Sequence, residues 1–333
     1  MKRALRWLLG VIALIVAMPG VAALWVNHLA ARAVADYPPA GRFVAVGGVR
    51  LHYLDSGAML SESPTIVLIH GNPGSASDFD RLIPVLKTNH RVIAIDRPGH
   101  GYSERPDLRS ATPSAQAREL HAALEELGVH SPLIVGHSWG GAVALAYALE
   151  FPRDVGGLAL LGTRAYPVDT PPDALYATLR RPVIGPLLRH TLIPLLGRGT
   201  LETRFANAYR PDTIEKDALA RARALWMRPS QLAATVWDTQ LLQEESATLA
   251  RQYATIQLPV MLIVGDSDDL LPESRQLAGQ LPNAWIEVLP KTGHYITRTR
   301  PGDVHRAISI LEARLKASTA TEKSKSRGDS TSS

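Results

Sequence analysis

Short apolar runs alternate with amphipathic stretches along most of the chain. The apolar runs are nearly continuous, as expected of strands buried on both faces of a sheet, and they lie at residues 65–69, 92–95, 133–135, 158–161, 260–264 and 285–289. Patterns of helical period separate most of them, for example at residues 114–127 and 303–315. Two further runs, 43–46 and 49–54, flank Gly47-Gly48 and predict a β-hairpin. This alternation predicts an α/β fold with a mainly parallel, doubly wound sheet.

One long interruption breaks this rhythm. Between Gly162 and Val260 the pattern is helical, without a convincing strand. An apolar stretch at 183–196 contains two prolines, and helical patterns follow at 219–226 and 232–242. We therefore predict a helical cap over residues 164–255, inserted into a core made of residues 41–163 and 256–317. The last segment, 318–333, is rich in Ser, Thr, Lys and Gly and is predicted to be a disordered tail.

The N-terminus carries a different pattern. Residues 7–26 contain no charge and follow three basic residues, Lys2, Arg3 and Arg6. A segment of this length can cross a bilayer, and the basic residues ahead of it would keep the N-terminus inside. We predict that residues 1–26 anchor the chain in a membrane and that residues 27–40 form a linker. The alternative is a signal peptide cleaved after Pro19-Gly20 near Ala22-Ala23, which gives a secreted protein. Both interpretations place the main domain outside the cytoplasm.

Composition narrows the possible functions. The 333 residues are 46% hydrophobic, enough for a large core, and the net charge of +5 is not arranged as a basic stripe with aromatic residues. Nucleic-acid binding is therefore not expected. The chain has no cysteine, which excludes thiol catalysis, disulfides and cysteine-bound metals. Its eleven histidines form no HxH or HxxxH pair, so no metal site is predicted.

One serine lies where a nucleophile is expected. Gly136-His137-Ser138-Trp139-Gly140 follows the apolar run 133–135 and precedes the helix-like stretch 141–149. A side chain on so sharp a turn is lifted clear of the sheet, and the flanking glycines let strand and helix approach closely. A serine hydroxyl becomes a good nucleophile when a neighbouring base takes its proton.

Five motifs, in this order, resemble those of the α/β-hydrolase superfamily over residues 43–315. They are His70-Gly71-Asn72-Pro73-Gly74, the turn from Asp96 to Ser103, the Gly136–Gly140 elbow, Gly265-Asp266-Ser267-Asp268 and Gly293-His294. The resemblance implies a Ser-His-Asp mechanism on a fold whose helical cap inserts after the sixth strand. It implies no metal and no organic cofactor.

The resemblance assigns roles to five residues. Ser138 would be the nucleophile, His294 the base and Asp268 the acid that orients the histidine. Asp266 and Asp269 stay open as alternatives for the acid, because three aspartates share one loop. The backbone N–H groups of Asn72 and Trp139 would stabilise the oxyanion. Other polar residues of the motifs are expected to shape loops: His70, Asp96, Arg97, His100 and His137.

The predicted activity is hydrolysis of an ester-type bond through an acyl-enzyme. The predicted substrate is a small molecule, and a hydrophobic ester is the candidate. C–C bond hydrolases, proline iminopeptidase-like peptidases and cofactor-free haloperoxidases share this fold and triad and remain alternatives. Haloalkane dehalogenases, which share this fold, resemble the chain at Asn72 and Trp139. Those enzymes use the asparagine and the tryptophan to hold a halide. They and epoxide hydrolases attack with aspartate, whereas Ser138 would form an ether that resists hydrolysis.

A ligand-binding protein with a hydrolase fold is the non-enzymatic alternative. The apolar residues of segment 183–196 would line a pocket for a hydrophobic ester, pack as the core of the cap, or dip toward the bilayer. The oligomeric state and the physiological substrate are not specified by any of these patterns.

Overall fold

An eight-stranded sheet forms the centre of the molecule. The computed structural model describes residues 2–57, 63–109, 112–168 and 173–329, without the side chains of residues 2, 4, 5, 8, 10–16 and 318–329. The strands are β1 Arg42–Val46, β2 Val49–Asp55, β3 Ile66–Ile69, β4 Val92–Ile95, β5 Leu133–His137, β6 Gly157–Leu161, β7 Val260–Gly265 and β8 Ala284–Leu289. Their order in the sheet is β1-β2-β4-β3-β5-β6-β7-β8. Each strand lies within a residue or two of an apolar run.

Only the hairpin end of the sheet is antiparallel. β1 pairs with β2, and β2 pairs with β4, in antiparallel register. All the remaining pairs, from β3–β4 to β7–β8, are parallel. Parallel strands present their carboxyl ends at one edge, so the loops that follow β3, β5, β6, β7 and β8 meet there. The predicted mainly parallel sheet is confirmed.

Helices cover both faces of the sheet, as a parallel sheet requires. Helices α3 Pro113–Glu126, α4 Trp139–Glu150 and α11 Leu271–Gln280 pack on one face. The short helix α2 Ile83–Leu86 and the long helix α13 Pro301–Asp329 pack on the other. A further short helix, α12 Ile296–Thr299, follows the loop after β8. The two apolar layers hold the strand ends in place.

The insertion between β6 and β7 is helical, as predicted. Its described part contains α5 Ala174–Arg180, α6 Ile184–His190, α7 Ile193–Leu196, α8 Arg198–Tyr209, α9 Lys216–Trp226 and α10 Pro229–Ala250. Aromatic and aliphatic side chains of α8 and α9, including Phe205, Tyr209 and Trp226, form a small core of their own with Tyr295. The cap therefore has a small core of its own in α8 and α9, while Leu242 and Leu249 of α10 pack into the main core.

The chain begins with one long helix, α1 Lys2–Asp36, which contains Pro19. It continues through most of segment 27–40, which we expected as a linker. No proline interrupts residues 20–37, and the alanines there favour a helix. Val26 and Ala33 of this helix are buried. Within the described part of the chain, none of the helices combines the length and the apolar character needed to cross a membrane.

At the other end, α13 extends to Asp329. The segment 318–333 was expected to be disordered, but the structure places residues 318–329 in this helix. Alanine, glutamate and lysine in this stretch have high helix propensity, which allows the preceding helix to propagate. Residues 330–333 lie outside the described residues.

Candidate active site

Ser138 lies on the turn between β5 and α4. Its backbone has φ 55° and ψ −119°, a conformation that non-glycine residues seldom adopt. The turn is possible because glycines surround it: a Cβ on Gly136 would lie 2.6 Å from Gly140 O, and one on Gly140 would lie 2.2 Å from Ile69 O. This strained, tightly packed turn presents the Ser138 side chain to a cavity beneath the cap.

The loop after β8 brings His294 to the loop after β7. His294 Nδ1 lies 2.9 Å from Asp268 Oδ2, and Asp268 Oδ1 accepts a hydrogen bond from Leu270 N at 2.9 Å. Burial acts to raise the pKa of Asp268, but the charge and hydrogen bond of His294 and the Leu270 amide outweigh it, so this pKa is lowered. An ionised Asp268 requires the proton on His294 Nδ1, which leaves Nε2 free to accept another.

The other two aspartates of the loop are placed differently. Asp266 is exposed and accepts hydrogen bonds from the amides of Lys291 and Thr292 at 2.9 and 3.2 Å, which connects the β7 and β8 loops. Asp269 is exposed as well. Of the three carboxylates, Asp268 is the one that contacts His294.

Ser138 and His294 line the same cavity. Among the hydrogen bonds of the described residues, none joins the two side chains; such contacts often tighten only when substrate binds. His137 Nε2 donates to the carbonyl oxygen of His294 at 3.0 Å, and burial lowers the pKa of His137 to about 3. A neutral His137 therefore stabilises the loop that carries His294 through this hydrogen bond.

Two backbone amides next to Ser138 are available to a ligand. Trp139 is the first residue of α4, so its N–H has no partner within the helix. Neither this N–H nor that of Asn72 donates a hydrogen bond within the described residues. Their side chains are occupied instead: Asn72 Nδ2 donates to Thr235 O at 2.9 Å, and Trp139 Nε1 donates to Asp238 O at 3.1 Å.

The acceptors of these side-chain bonds lie on the cap helix α10. That helix also carries Asp238, a fully buried carboxylate that the sequence analysis did not single out. Arg97 Nη1 and Arg105 Nη1 each donate to it at 2.6 Å, and His100 Nε2 lies 2.9 Å away. Burial acts to raise the pKa of Asp238, but these neighbours lower it overall, Arg97 foremost. The one sequence signal was that Asp238 is the single charged residue of the helical pattern 232–242.

Arg97 connects this buried carboxylate to the loop that carries Asn72. Its guanidinium donates to the carbonyl oxygens of His70 and Gly71 at 2.9 and 2.8 Å and lies 4.2 Å from the centre of the Trp139 ring. The backbone N–H of Arg97 donates to His70 Nε2 at 2.9 Å. Arg97, His70 and His100 thus hold the loops, as expected, and Arg97 and His100 also join the core to α10 of the cap through Asp238.

The cavity has a volume of about 310 Å³. The core contributes Ser138, His294 and Asn72 to its wall. The cap contributes mainly apolar side chains, Leu175, Leu179, Ile193, Leu201, Phe205, Trp226, Leu232 and Val236. Polar groups come from Asp78, Thr200, Arg204 and Thr235. Among the described residues, no group of three or more metal-ligating side chains could hold a metal ion.

Comparisons with known proteins agree with this architecture. A family model described as alpha/beta hydrolase fold matches residues 64–301. Haloalkane dehalogenase 2 of Mycobacterium tuberculosis is 29% identical over 289 residues, which cover 82% of this chain and 94% of that protein. 2-Hydroxymuconate semialdehyde hydrolase of a Pseudomonas species is 28% identical over 270 residues, covering 78% and 88%.

A solved structure titled as a membrane phospholipase A and bacterial virulence factor has a TM-score of 0.65 at 22% identity. The match covers 95% of this chain and 99% of that one. At this level of identity the likeness is one of fold.

Proposed function

This chain belongs to the α/β-hydrolase fold family, and from that premise we propose that it is a serine hydrolase that cleaves ester-type bonds of a hydrophobic acyl substrate. One observation carries the proposal. His294, which lies 2.9 Å from Asp268, shares its cavity with Ser138 and Asn72, and the amides of Asn72 and of Trp139, the residue after Ser138, have no partner in the described chain. These are the parts that acyl transfer needs.

In the proposed mechanism, Ser138 Oγ attacks the ester carbonyl while His294 Nε2 takes the hydroxyl proton. The oxyanion that forms accepts hydrogen bonds from the amides of Asn72 and Trp139, and the N-terminal end of α4 favours its negative charge. His294 then gives its proton to the departing alcohol, leaving an acyl-enzyme. Water, deprotonated by His294, releases the acid and restores Ser138. Asp268 stabilises the imidazolium in both steps.

Because one relative is a haloalkane dehalogenase, dehalogenation is the first alternative to ester hydrolysis. Two observations support acyl hydrolysis instead. Serine in place of aspartate at position 138 would give a stable ether with an alkyl halide. In addition, the side-chain N–H groups of Asn72 and Trp139, which would hold the halide, already donate to carbonyl oxygens of α10.

Hydrolysis of a C–C bond is the second candidate reaction. The similarity to 2-hydroxymuconate semialdehyde hydrolase favours it. The wall of the cavity argues for an ester with an apolar acyl group, because the cap lines it mainly with leucine, isoleucine, valine and aromatic side chains. Comparing turnover of a nitrophenyl ester with that of a dienoic keto acid would separate the two.

We further propose that residues 1–26 tether the enzyme to a membrane, with the hydrolase domain outside the cytoplasm. The charge-free run after three basic residues supports this. The solved membrane phospholipase A covers 95% of this chain, a share that includes part of α1. A secreted form, produced by cleavage near Ala22-Ala23, is the alternative. N-terminal sequencing of the protein recovered from the membrane fraction would distinguish the two.

A fluorophosphonate probe tests the chemistry directly. Such a probe modifies an activated serine, so we expect labelling of the wild type and none of Ser138→Ala. A correctly folded wild type that stays unlabelled would favour the ligand-binding alternative. A series of nitrophenyl esters with lengthening acyl chains then tests the pocket. We expect kcat/KM to rise beyond acetate, and a flat or falling series would contradict an apolar acyl site.

A further inference from the structure

Large apolar side chains are exposed in one region of the cap. Outside α1, ten large hydrophobic residues of the described chain are exposed, and six of them lie within residues 175–196. We call these six the docking face: Leu175, Val183, Ile184, Leu187, Leu192 and Leu196. Val183 and Leu196 are 79% and 74% exposed. The segment 183–196 therefore forms the core of the cap only in part, since several of its apolar residues face outward. A concentration of this kind marks a surface that binds something.

The backbone at Val183 supports this interpretation. Val183 has φ 65°, in the left-handed region that a β-branched residue rarely enters. Its side chain gains little packing in return, because it is mostly exposed. A strained residue that displays an apolar side chain to solvent indicates a function outside the folded core.

The charges around the docking face point to an anionic partner. The sequence has no Asp or Glu between residues 174 and 201, whereas Arg181 and Arg198 are exposed there. An apolar centre with cationic side chains at its edge matches the surface of a bilayer that contains anionic lipids.

The first helix continues this surface. Val26, Leu29 and Ala33 of α1 line a crevice together with Pro194 and Met227 of the cap. On its outward side α1 exposes further apolar residues, Met18, Val21, Leu24 and Trp25. Tryptophan is typical of the boundary between lipid and water. Helix α1 therefore brings apolar side chains next to the cap segment that carries the docking face.

The cavity opens at the same place. Leu175 is both an exposed member of the docking face and part of the wall of the cavity that holds Ser138. Ile193 and Gly197, which lie between and beside docking-face residues in sequence, also line that cavity. An acyl chain that leaves a bilayer at this surface could reach the nucleophile without crossing bulk water.

From these observations we propose that the docking face lies on the surface of an anionic phospholipid bilayer and admits acyl chains from it to the cavity. This inference rests on the proposed esterase function. It does not require that α1 span the bilayer, because the docking face belongs to the folded domain. A second copy of the chain is the other possible occupant of an apolar surface, and labelling with and without vesicles separates the two.

The absence of native cysteine makes the test direct. The full chain would carry one cysteine at a time, Leu187→Cys, Leu196→Cys or, as a control at an exposed position of the core, Lys87→Cys. Each would be labelled with a fluorophore whose emission shifts to the blue in an apolar environment. Vesicles would contain three parts phosphatidylcholine to one part phosphatidylglycerol. We expect a blue shift on adding vesicles for the labels at 187 and 196, and none at 87.

A lipid-borne quencher would confirm contact with the acyl region. Absence of both the shift and the quenching at 187 and 196 would overturn the proposal. So would a blue shift that grows with protein concentration without vesicles, because that result indicates a second copy of the chain on the docking face.

Activity provides the second readout. The double variant Leu187→Gln/Leu196→Gln changes residues outside the cavity wall, and Ile310→Gln removes an equally aliphatic, exposed side chain on α13 as a matched control. We expect the double variant to hydrolyse a soluble short-chain ester at the wild-type rate and a vesicle-borne long-chain ester about tenfold more slowly. Ile310→Gln should match the wild type on both.

The outcomes distinguish this proposal from the one on which it rests. Loss of neither activity in the double variant would overturn the docking proposal alone. A wild-type enzyme that hydrolyses neither ester and does not react with a fluorophosphonate would overturn the proposed function instead.

Discussion

Replacing Asp268 with asparagine should separate the roles of the three aspartates in the β7 loop. The amide has the same shape as the carboxylate but no charge, and its NH2 group would face His294 Nδ1. Asp268 Oδ2 lies 2.9 Å from that nitrogen, and Asp268 is only 6% exposed. Two unit charges at this distance attract by about 5–6 kcal/mol at an effective dielectric constant of about 20. This attraction is present in the transition state, where His294 is protonated, and largely absent before it.

A loss of this size corresponds to a fall in kcat of about 10⁴-fold. The wrong tautomer of His294 contributes to the same loss, because an asparagine NH2 group that donates to Nδ1 leaves the imidazole proton on Nε2, which then cannot accept the serine proton. The measurement is kcat for a soluble nitrophenyl ester, with the thermal midpoint recorded to show that the variant is folded.

Asp266→Asn and Asp269→Asn are the matched controls. Asp266 is exposed and holds the amides of Lys291 and Thr292, so its replacement should lower kcat by about tenfold or less. Asp269 is exposed, and its replacement should leave kcat near the wild-type value. If Asp268→Asn retained kcat within tenfold of the wild type, or if Asp266→Asn were the more damaging change, the assignment of the acid and the electrostatic reasoning would both be wrong.

Three further variants test other parts of the site. In Gly162→Ala the added Cβ would lie 2.6 Å from Asp268 Oδ2 and displace this carboxylate, so kcat should fall by at least about tenfold, with the thermal midpoint recorded because residue 162 has a positive φ; an unchanged kcat would contradict this reasoning. Asp238→Asn should destabilise the protein to urea by about 3–5 kcal/mol, since it leaves two buried guanidinium groups short of charge, whereas Glu150→Gln at an exposed ion pair should change stability by less than about 1 kcal/mol; equal effects would refute the argument. Burial raises the pKa of Asp78 to about 7, so its folded-state pKa lies above the unfolded one, and its contribution to stability is lost as pH rises from about 4 to 7. Asp78→Asn should therefore gain stability relative to the wild type between pH 5 and pH 8, as measured by urea unfolding, and a difference independent of pH would show that Asp78 is not the group responsible.

Much of the architecture could be predicted from local pattern. Short apolar runs, three to six residues long, predicted the strands, and every one of them became a strand of the sheet, although β8 at its edge is only partly buried. The turn around Ser138 was predictable for the same reason, because its glycines are required by contacts between adjacent strand and helix. The contacts of Gly136 are with Gly140 and Gly141, close in sequence, whereas Gly140 lies against Ile69 of β3, a contact that only the folded sheet provides.

The ends of the chain were less predictable. Helix α1 continues through residues 27–36 and α13 through residues 318–329, where composition had indicated a linker and a disordered tail. Helix propensity propagates from an existing helix, so composition alone does not show where a helix ends when no proline or glycine stops it. The packing of Ala33 against the cap could not be read from its neighbours in sequence.

Within the site, local sequence established which residue types could take part, and three-dimensional packing established which of them meet. Three aspartates share one loop, and only the fold buries Asp268 against His294 while leaving Asp266 and Asp269 in solvent. Asp238 and Arg97 are separated by 141 residues, yet their contact joins the cap to the loop that carries Asn72. Periodicity in the sequence shows which face of its own helix or strand a residue lies on. Burial and charge pairing arise only when distant segments pack together and exclude water. The partners of Asp268 and Asp238 therefore required the folded chain.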